Sequence, residues 1–261
     1  MKVLTVAAVL LWAAGERCTA QEELPDTVRS IHAIGFGAAV NQMKEENLLP
    51  RVHSGFLVDL SYEYRRFGER YQNVQIALGF SRLSAEPEDL AATASILINA
   101  SYAYDFRLVE KEDLIFLLGP EARLLYSVTL FPKWDDSHLY WASLWSMGPN
   151  AVALFGLKSR SRIAVRLSLP IISLYSRPPA DRLYKMDEGS FDQVVRSLHS
   201  DLRLGAWNAF FYLHLEVEYQ FPVFQHSEEA ISYSLDRLWI RRDDGNPFSQ
   251  LIHQIALKVM L

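Results

Sequence analysis

From residue 31 to the last residue, apolar and polar residues alternate over long stretches of the chain. Between residues 211 and 221 every odd-numbered residue is apolar or aromatic, and His214, Glu216 and Glu218 stand between them. Successive side chains of a β-strand point to opposite faces, so this pattern predicts strands with one apolar and one polar face. The other segments with this pattern are 34–40, 56–65, 74–81, 94–107, 114–130, 162–171 and 250–261.

The length of these segments and the position of their aromatic residues indicate strands that cross a membrane. In segment 114–130 the even-numbered residues form one face, opposite Gly119, Glu121, Arg123, Ser127 and Thr129. Strands of soluble proteins usually have about 5–6 residues, whereas a tilted transmembrane strand needs about 9–11. On the apolar faces aromatic residues gather at the strand ends, as in the girdles of outer-membrane barrels. The predicted girdle residues are Phe56, Tyr62, Tyr64, Phe80, Tyr102, Tyr104, Tyr126, Trp141, Tyr175, Tyr219 and Phe221.

The connections between the predicted strands alternate between short and long, as do the periplasmic turns and outer loops of such barrels. Short connections lie near 67–70, 109–113, 158–161 and 207–209, and long ones at 41–52, 82–92, 131–138, 176–196 and 222–249. We therefore predict an all-β fold, an antiparallel up-and-down transmembrane β-barrel of ten strands, whose sixth and eighth strands lie at 139–157 and near 199–207. In an alternative with twelve strands, 230–241 belongs to a further hairpin.

Three regions depart from the simple pattern. Proline cannot donate a hydrogen bond to a strand ladder, so Gly148-Pro149 predicts a bulge or irregularity in the sixth strand. Ser227 is placed to cap a short helix over 227–239, where apolar residues recur at helical spacing. A capping pattern at 190–198 predicts a second short helix, also in an outer loop.

The first twenty residues have the features of a secretory signal peptide. Lys2 is followed by an apolar stretch and then by small residues that end at Ala20. The only cysteine is Cys18, so the chain after the signal peptide forms no disulfide. We predict a signal peptide at 1–20, a periplasmic N-terminal segment at 21–30 and the barrel at 31–261. The predicted location is the bacterial outer membrane, with both termini in the periplasm.

Composition narrows the classes of function. Half of the residues are hydrophobic and 12% are aromatic, which excludes a disordered chain. The net charge is −5 and basic residues are not clustered, so we expect no nucleic-acid partner. The histidines are scattered without paired spacing, so we expect no metal site, and nothing in the chain points to a cofactor.

By its alternating strands and girdle residues, the chain resembles the small, ten-stranded outer-membrane barrels of Gram-negative bacteria. The resemblance covers 34–261 and rests on this pattern, without a signature motif. It implies contact with outer-membrane lipid and with the barrel-assembly machinery. Such barrels commonly end in an aromatic residue, and Leu261 departs from that assembly signal. A protein partner is expected at the outer loops 176–196 and 222–249.

The polar faces carry many charges of both signs, which would line the bore. A ten-strand barrel is narrow, so charges in its interior should pair. Such a network would either plug the bore or line a small, porin-like path. The residues predicted for this lumen charge network are Asp59, Glu63, Arg65, Asp105, Arg107, Glu121, Arg123, Arg162, Arg166, Arg203, Glu216 and Glu218.

The sequence leaves three kinds of function open. The first is a non-enzymatic barrel, as a structural or assembly component or as a small pore. The second is a hydrolase at the outer rim, directed at peptides or lipids. Omptin-type proteases use acidic and Asp–His pairs there, although the spacing in this chain departs from theirs. The candidate residues are Asp135, Asp136, His138, His199 and Asp201. The third is a soluble, lipocalin-like periplasmic binder.

Overall fold

A computed structural model describes most of the chain, and nearly all of the described part is β-strand. The described residues are 29–45, 49–85, 93–131, 138–157, 161–178, 184–185, 196, 199, 202–224, 227–242 and 245–261. No helix in these ranges is long and apolar enough to cross a membrane. The strands are β1 (Arg29–Glu45), β2 (Leu49–Phe67), β3 (Arg70–Ser84), β4 (Thr93–Lys111), β5 (Leu114–Phe131), β6 (His138–Gly156), β7 (Arg162–Ser168), β8 (Ile172–Ser176), β9 (Tyr184–Lys185), β10 (Arg203–Ala206), β11 (Phe210–Phe224), β12 (Ser227–Arg242) and β13 (Gly245–Met260).

Ten of these strands form a closed antiparallel ring, which confirms the predicted fold class. Each strand from β1 to β7 pairs with the next, β7 pairs with β11, and β11, β12 and β13 follow in order. Pairing of β13 with β1, as between Met260 and Ala33, closes the ring. Both described ends of the chain therefore lie at one end of the barrel, which we call the terminal end. We call the opposite end the loop end.

The apolar faces of the ring strands point outward. Phe36, Leu60 and Ile255 are 63%, 59% and 63% exposed, whereas the adjacent Ser61 and Ala256 are buried inside the ring. A soluble lipocalin-like barrel has the opposite arrangement, with its apolar face inward. The observed orientation therefore excludes that alternative and gives the barrel an apolar outer surface.

One predicted helix is a strand of the ring. Segment 227–239 belongs to β12, which pairs with β11 on one side and β13 on the other. The small polar residues Ser232 and Ser234 face the bore, and Ile231 faces outward. Leu238 also faces the bore, in an apolar cluster, and this inward leucine produced the helical spacing. The predicted outer loop 222–249 is therefore wrong.

The predicted eighth strand near 199–207 is not one of the ring strands. Only the short β10 lies there; it pairs with β8, and the segment 207–209 joins it to β11, which runs in the same direction. Trp207 anchors this segment by donating from its indole nitrogen to the carbonyl of Pro170 at 2.7 Å. Segment 207–209 is a short connection, as predicted, but it does not form a hairpin, because the two strands that it joins run in the same direction. The second predicted helix, at 190–198, lies outside the described residues except for Arg196.

A bulge at Pro170 separates β7 from β8. Ser168 pairs with Asn150 and Ile172 with Met147, so β7–β8 has one residue more than β6 over this stretch. The bulge lies opposite the irregularity predicted at Gly148-Pro149. A Cβ atom on Gly148 would lie 2.6 Å from the carbonyl oxygen of Leu169, so the close approach of the two strands requires glycine there.

The extra residue of this bulge inverts the alternation along β8. Leu167 before the bulge and Leu174 after it both point outward, although seven positions separate them. As a result Tyr175 faces the bore, where it is 5% exposed and belongs to an apolar cluster. The prediction of Tyr175 as a girdle residue is therefore wrong, because a one-residue shift moves every following side chain to the other face.

Candidate functional site

Most of the predicted girdle residues lie on the outer surface. The exposed ones are Phe56, Tyr62, Phe80, Tyr102 and Tyr219, and the half-buried ones are Tyr64, Tyr104, Tyr126 and Phe221. Trp141 pairs with the outward-facing Val128, yet it is only 1% exposed. Its indole N–H donates to the hydroxyl of Ser176 at 3.4 Å. Trp141 is therefore covered by other parts of the protein and does not belong to the exposed outer surface.

A network of buried ion pairs fills the bore in the half nearer the terminal end. Arg65 of β2 donates from Nε and Nη2 to Glu63 at 2.8 and 2.6 Å. The same guanidinium donates from Nη1 and Nη2 to Glu218 of β11 at 2.6 and 2.7 Å. The Nζ atom of Lys258 on β13 donates to all three carboxylates of the network, at 2.9 Å to Glu63, 2.7 Å to Glu216 and 2.7 Å to Glu218.

This network spans the full width of the bore. Arg166 of β7 donates from Nη2 to Glu63 of β2 at 3.1 Å, and from Nη1 to Glu216 at 3.3 Å. Strands β2 and β7 are five places apart in the ring of ten, so they lie on opposite walls. A direct hydrogen bond between opposite walls narrows the bore at this level.

The network is electrically balanced. Its three carboxylates, on Glu63, Glu216 and Glu218, face three cations, on Arg65, Arg166 and Lys258, and these side chains are 2–7% exposed. Buried ions are tolerated only when good geometry and further hydrogen bonds compensate their lost hydration. Asn73 and Gln220 supply such bonds, to Glu63 at 2.5 Å and to Glu218 at 2.7 Å.

A second polar cluster lies next to the first, towards the loop end. Arg123 of β5 donates to Glu121 at 2.8 Å and to the hydroxyl of Tyr212 on β11 at 3.0 Å. The Tyr212 hydroxyl donates in turn to Asp236 of β12. His214 contacts the same Asp236 oxygen through Nδ1 at 2.8 Å. This chain of bonds joins β5, β11 and β12 across the interior.

Apolar side chains fill the bore nearer the loop end. Phe210 is fully buried, and it shares a cluster with residues from most of the ring strands. The polar half of the bore, nearer the terminal end, keeps a cavity of about 20 Å³ beside Arg166 and Glu218. That volume holds about one water molecule. The buried members of the apolar cluster are Met43, Leu83, Leu125, Phe131, Tyr140, Ala142, Leu144, Tyr175, Phe210, Tyr212, Leu238, Ile240 and Phe248.

The structure brings most of the predicted lumen charges together inside the bore. Arg107, Arg162 and Arg203 are the exceptions: they lie near strand ends and are partly exposed, and Arg107 pairs with Glu110 at 2.7 Å. The buried ones are Asp59, Glu63, Arg65, Asp105, Glu121, Arg123, Arg166, Glu216 and Glu218.

Among the interior residues that were absent from the predicted network, three make described ion pairs. Lys258 and His214 stand on the polar faces of alternating segments, so the pattern contained the signal for both. Asp236 was missed because its segment was interpreted as a helix. All three make ion pairs inside the bore.

An apolar groove lies on the outer wall, where β3, β4, β5, β6, β8 and β10 follow one another. Its volume is about 640 Å³. Ala100 and Ala122 are its small residues, and larger apolar side chains, among them Trp145 and Leu204, line its sides. No feature of the sequence pattern indicated this groove, because its residues come from six separate strands.

A polar trio adjoins this groove on the side of the loop end. The indole N–H of Trp145 donates to the hydroxyl oxygen of Tyr126 at 2.9 Å. The same oxygen lies 2.7 Å from Nε2 of His199, whose ring packs 5.7 Å from the Tyr126 ring. His199 follows β9 and precedes β10 in the chain, and its ring contacts the outer face of the barrel at Tyr126.

The other catalytic candidates form no described site. Asp135, Asp136 and Asp201 lie outside the described residues. His138 begins β6, where its backbone pairs with Phe131 and Lys185. Within the described part of the chain, no group of three or more histidine, cysteine, aspartate or glutamate residues is arranged to hold a metal ion.

Comparisons with known proteins agree with this architecture. No protein-family model and no curated protein matches the sequence. The outer membrane protease OmpT from Escherichia coli is similar in structure, with a TM-score of 0.51, 6% identity, and coverage of 91% of this chain and 96% of that one. The translocator domain of the autotransporter NalP from Neisseria meningitidis has a TM-score of 0.46 and 7% identity, with coverage of 98% and 95%.

The ring of ten antiparallel strands with an apolar outer surface defines the chain as a β-barrel of the outer-membrane type. The number of strands in the ring is ten, as predicted from the alternating segments.

Proposed function

We propose that the protein is a non-enzymatic, integral barrel of the bacterial outer membrane that acts as a structural component with a sealed bore. The observation that carries the proposal is the balanced ion network, in which Arg166 and Glu63 join opposite walls. The apolar layer around Phe210 also supports the proposal, because this layer fills the other half of the bore. Assembly would use the barrel-assembly machinery, and the segment 176–196 would be the surface for a protein partner.

The connections support an orientation with the terminal end in the periplasm. Tight turns at 68–69 and 112–113 join strands at the terminal end, and the strand ends Ser84 and Thr93, which a longer connection joins, lie at the loop end. In outer-membrane barrels the short turns face the periplasm and the long loops face outward. Both described chain ends would then be periplasmic.

Planar-bilayer recording tests the sealed bore. We expect no stepwise conductance from the purified, folded protein, because ion pairs and apolar side chains occupy the bore at successive levels. Folding is verified on the same preparation by its heat-dependent shift in gel mobility. Reproducible current steps from protein that passes this check would contradict the proposal and favour a small pore.

An arginine on the outer surface tests the membrane location. Leu78 is 57% exposed in the middle of β3, and Leu78→Arg should destabilise the barrel in lipid vesicles by about 2–4 kcal/mol. Leu108, equally exposed near the terminal end of β4, is the matched control, and Leu108→Arg should cost about 0–1 kcal/mol. Urea titration in vesicles measures both. Equal losses at the two positions would argue against a hydrocarbon layer around the middle of the barrel.

A further inference from the structure

We propose that the outer groove binds one acyl chain of a phosphate-bearing lipid from the membrane leaflet at the loop end. The groove is a depression in the wall because small side chains stand between large ones. Ala122 pairs with Tyr102 on one side and Met147 on the other, and these neighbours are 45% and 55% exposed. Along the next row, Ala100 stands between Ile76 and Leu124.

One side of the groove is built by strands that the simple ring does not need. β10 pairs with β8, which places Leu204 beside Leu174 on the outer surface. Leu204 is 69% exposed, so the described part of the protein leaves most of this side chain uncovered. The accessory ladder thus extends the depression beyond the curvature of the barrel wall.

The size of the groove favours a lipid acyl chain over a helical protein segment as its occupant. Its volume is about 640 Å³, and it is shallow and open on its outer side. A helix about 10 Å across with a pitch of 5.4 Å would place fewer than about two turns in that space. An extended hydrocarbon chain, which is far thinner than a helix, is the occupant that fits both the volume and the apolar lining.

The polar trio supplies the other half of a lipid site. Trp145 lines the groove and also donates to Tyr126, so the apolar and polar parts meet at one residue. His199 is exposed above them and contacts the Tyr126 hydroxyl. Aromatic residues with polar tips favour the headgroup region. Such a lipid would place its acyl chain in the groove and its ester or phosphate oxygens near His199.

The lipid site rests on the membrane location proposed above, and photocrosslinking tests it. The probe is a phosphatidylcholine with a diazirine in one acyl chain, reconstituted with the protein in vesicles. We expect labelled peptides to concentrate at Met147 and Leu204. Ala122→Phe, which fills the depression, should lower this labelling about tenfold. Ala38→Phe is the control, since Ala38 lies on the outer surface between Val58 and Ile255, away from the groove.

The outcomes separate the site from the membrane location. Uniform labelling around the belt, or labelling that Ala122→Phe leaves unchanged, would overturn the lipid site and leave the membrane location intact. Absence of labelling everywhere would overturn both. Protein–protein crosslinks between copies at the groove would also overturn the proposal. Ala100→Phe provides a second filling variant if Ala122→Phe lacks the heat-dependent gel shift of the folded barrel.

Discussion

Replacement of Arg65 by alanine is expected to lower the free energy of unfolding by about 3–5 kcal/mol, the range for removal of one partner from a buried ion pair. The guanidinium makes four hydrogen bonds to Glu63 and Glu218. Without it, three buried carboxylates face only Arg166 and Lys258, so one negative charge is left without compensation. Urea titration of the barrel in lipid vesicles measures the loss.

The control for this variant is an arginine with an exposed partner. Arg107 pairs with Glu110 three residues away, and their side chains are 32% and 53% exposed. Arg107→Ala should change the stability by about 0–1 kcal/mol, because water replaces the lost pair. If both substitutions cost the same, the interior network would be hydrated and the argument for a sealed bore would fail.

The second large effect is expected from Phe210→Ala, at about 3–5 kcal/mol. Phe210 is fully buried in the apolar layer, where it pairs with Ile240 across the strands. Truncation leaves a cavity that the rigid wall cannot close, because the surrounding backbone is held by the strand ladders. The measurement is again unfolding by urea in vesicles, together with the gel mobility of the unheated protein.

Phe211 provides a matched comparison one residue away. It is 36% exposed on the outward face of β11, and lipid can occupy the space that its ring leaves. We expect Phe211→Ala to lower the free energy of unfolding by less than about 1.5 kcal/mol, because the Phe211 ring is only partly buried in the folded barrel. A larger loss at Phe211 than at Phe210 would mean that the faces of β11 are assigned the wrong way round.

The fold class could be predicted because alternation is a local property of the chain. Most ring strands and the orientation of their faces follow from period two alone, as in segments 114–130 and 211–221. The exceptions have local causes that the pattern conceals. An inward leucine at 238 imitated helical spacing, and one extra residue at Pro170 reversed the faces of β8.

The sites could be predicted only in part, because they depend on which strands become neighbours. The polar faces gave candidates for the interior charges, but the bond between Glu63 and Arg166 joins residues 103 positions apart. Nothing local in the sequence says that these two strands face each other across a ring. The groove is harder still, since it arises from the register that places Ala122 between Tyr102 and Met147.

The ion network also constrains the order in which the barrel is assembled. Its charges come from β2, β7, β11 and β13, and the first two lie on opposite walls. An open sheet would keep the pair of Arg65 with Glu63 on one strand and that of Arg166 with Glu216 on adjacent strands. It would break the bonds of Arg65 to Glu218 and of Arg166 to Glu63, and a buried carboxylate that loses its partner costs several kcal/mol. Complete pairing of the network requires the rolled sheet, because these two bonds join distant strands, so insertion and closure are thermodynamically coupled. A bilayer thereby disfavours every unrolled precursor, and the last pair of edges to join completes the cancellation of charge.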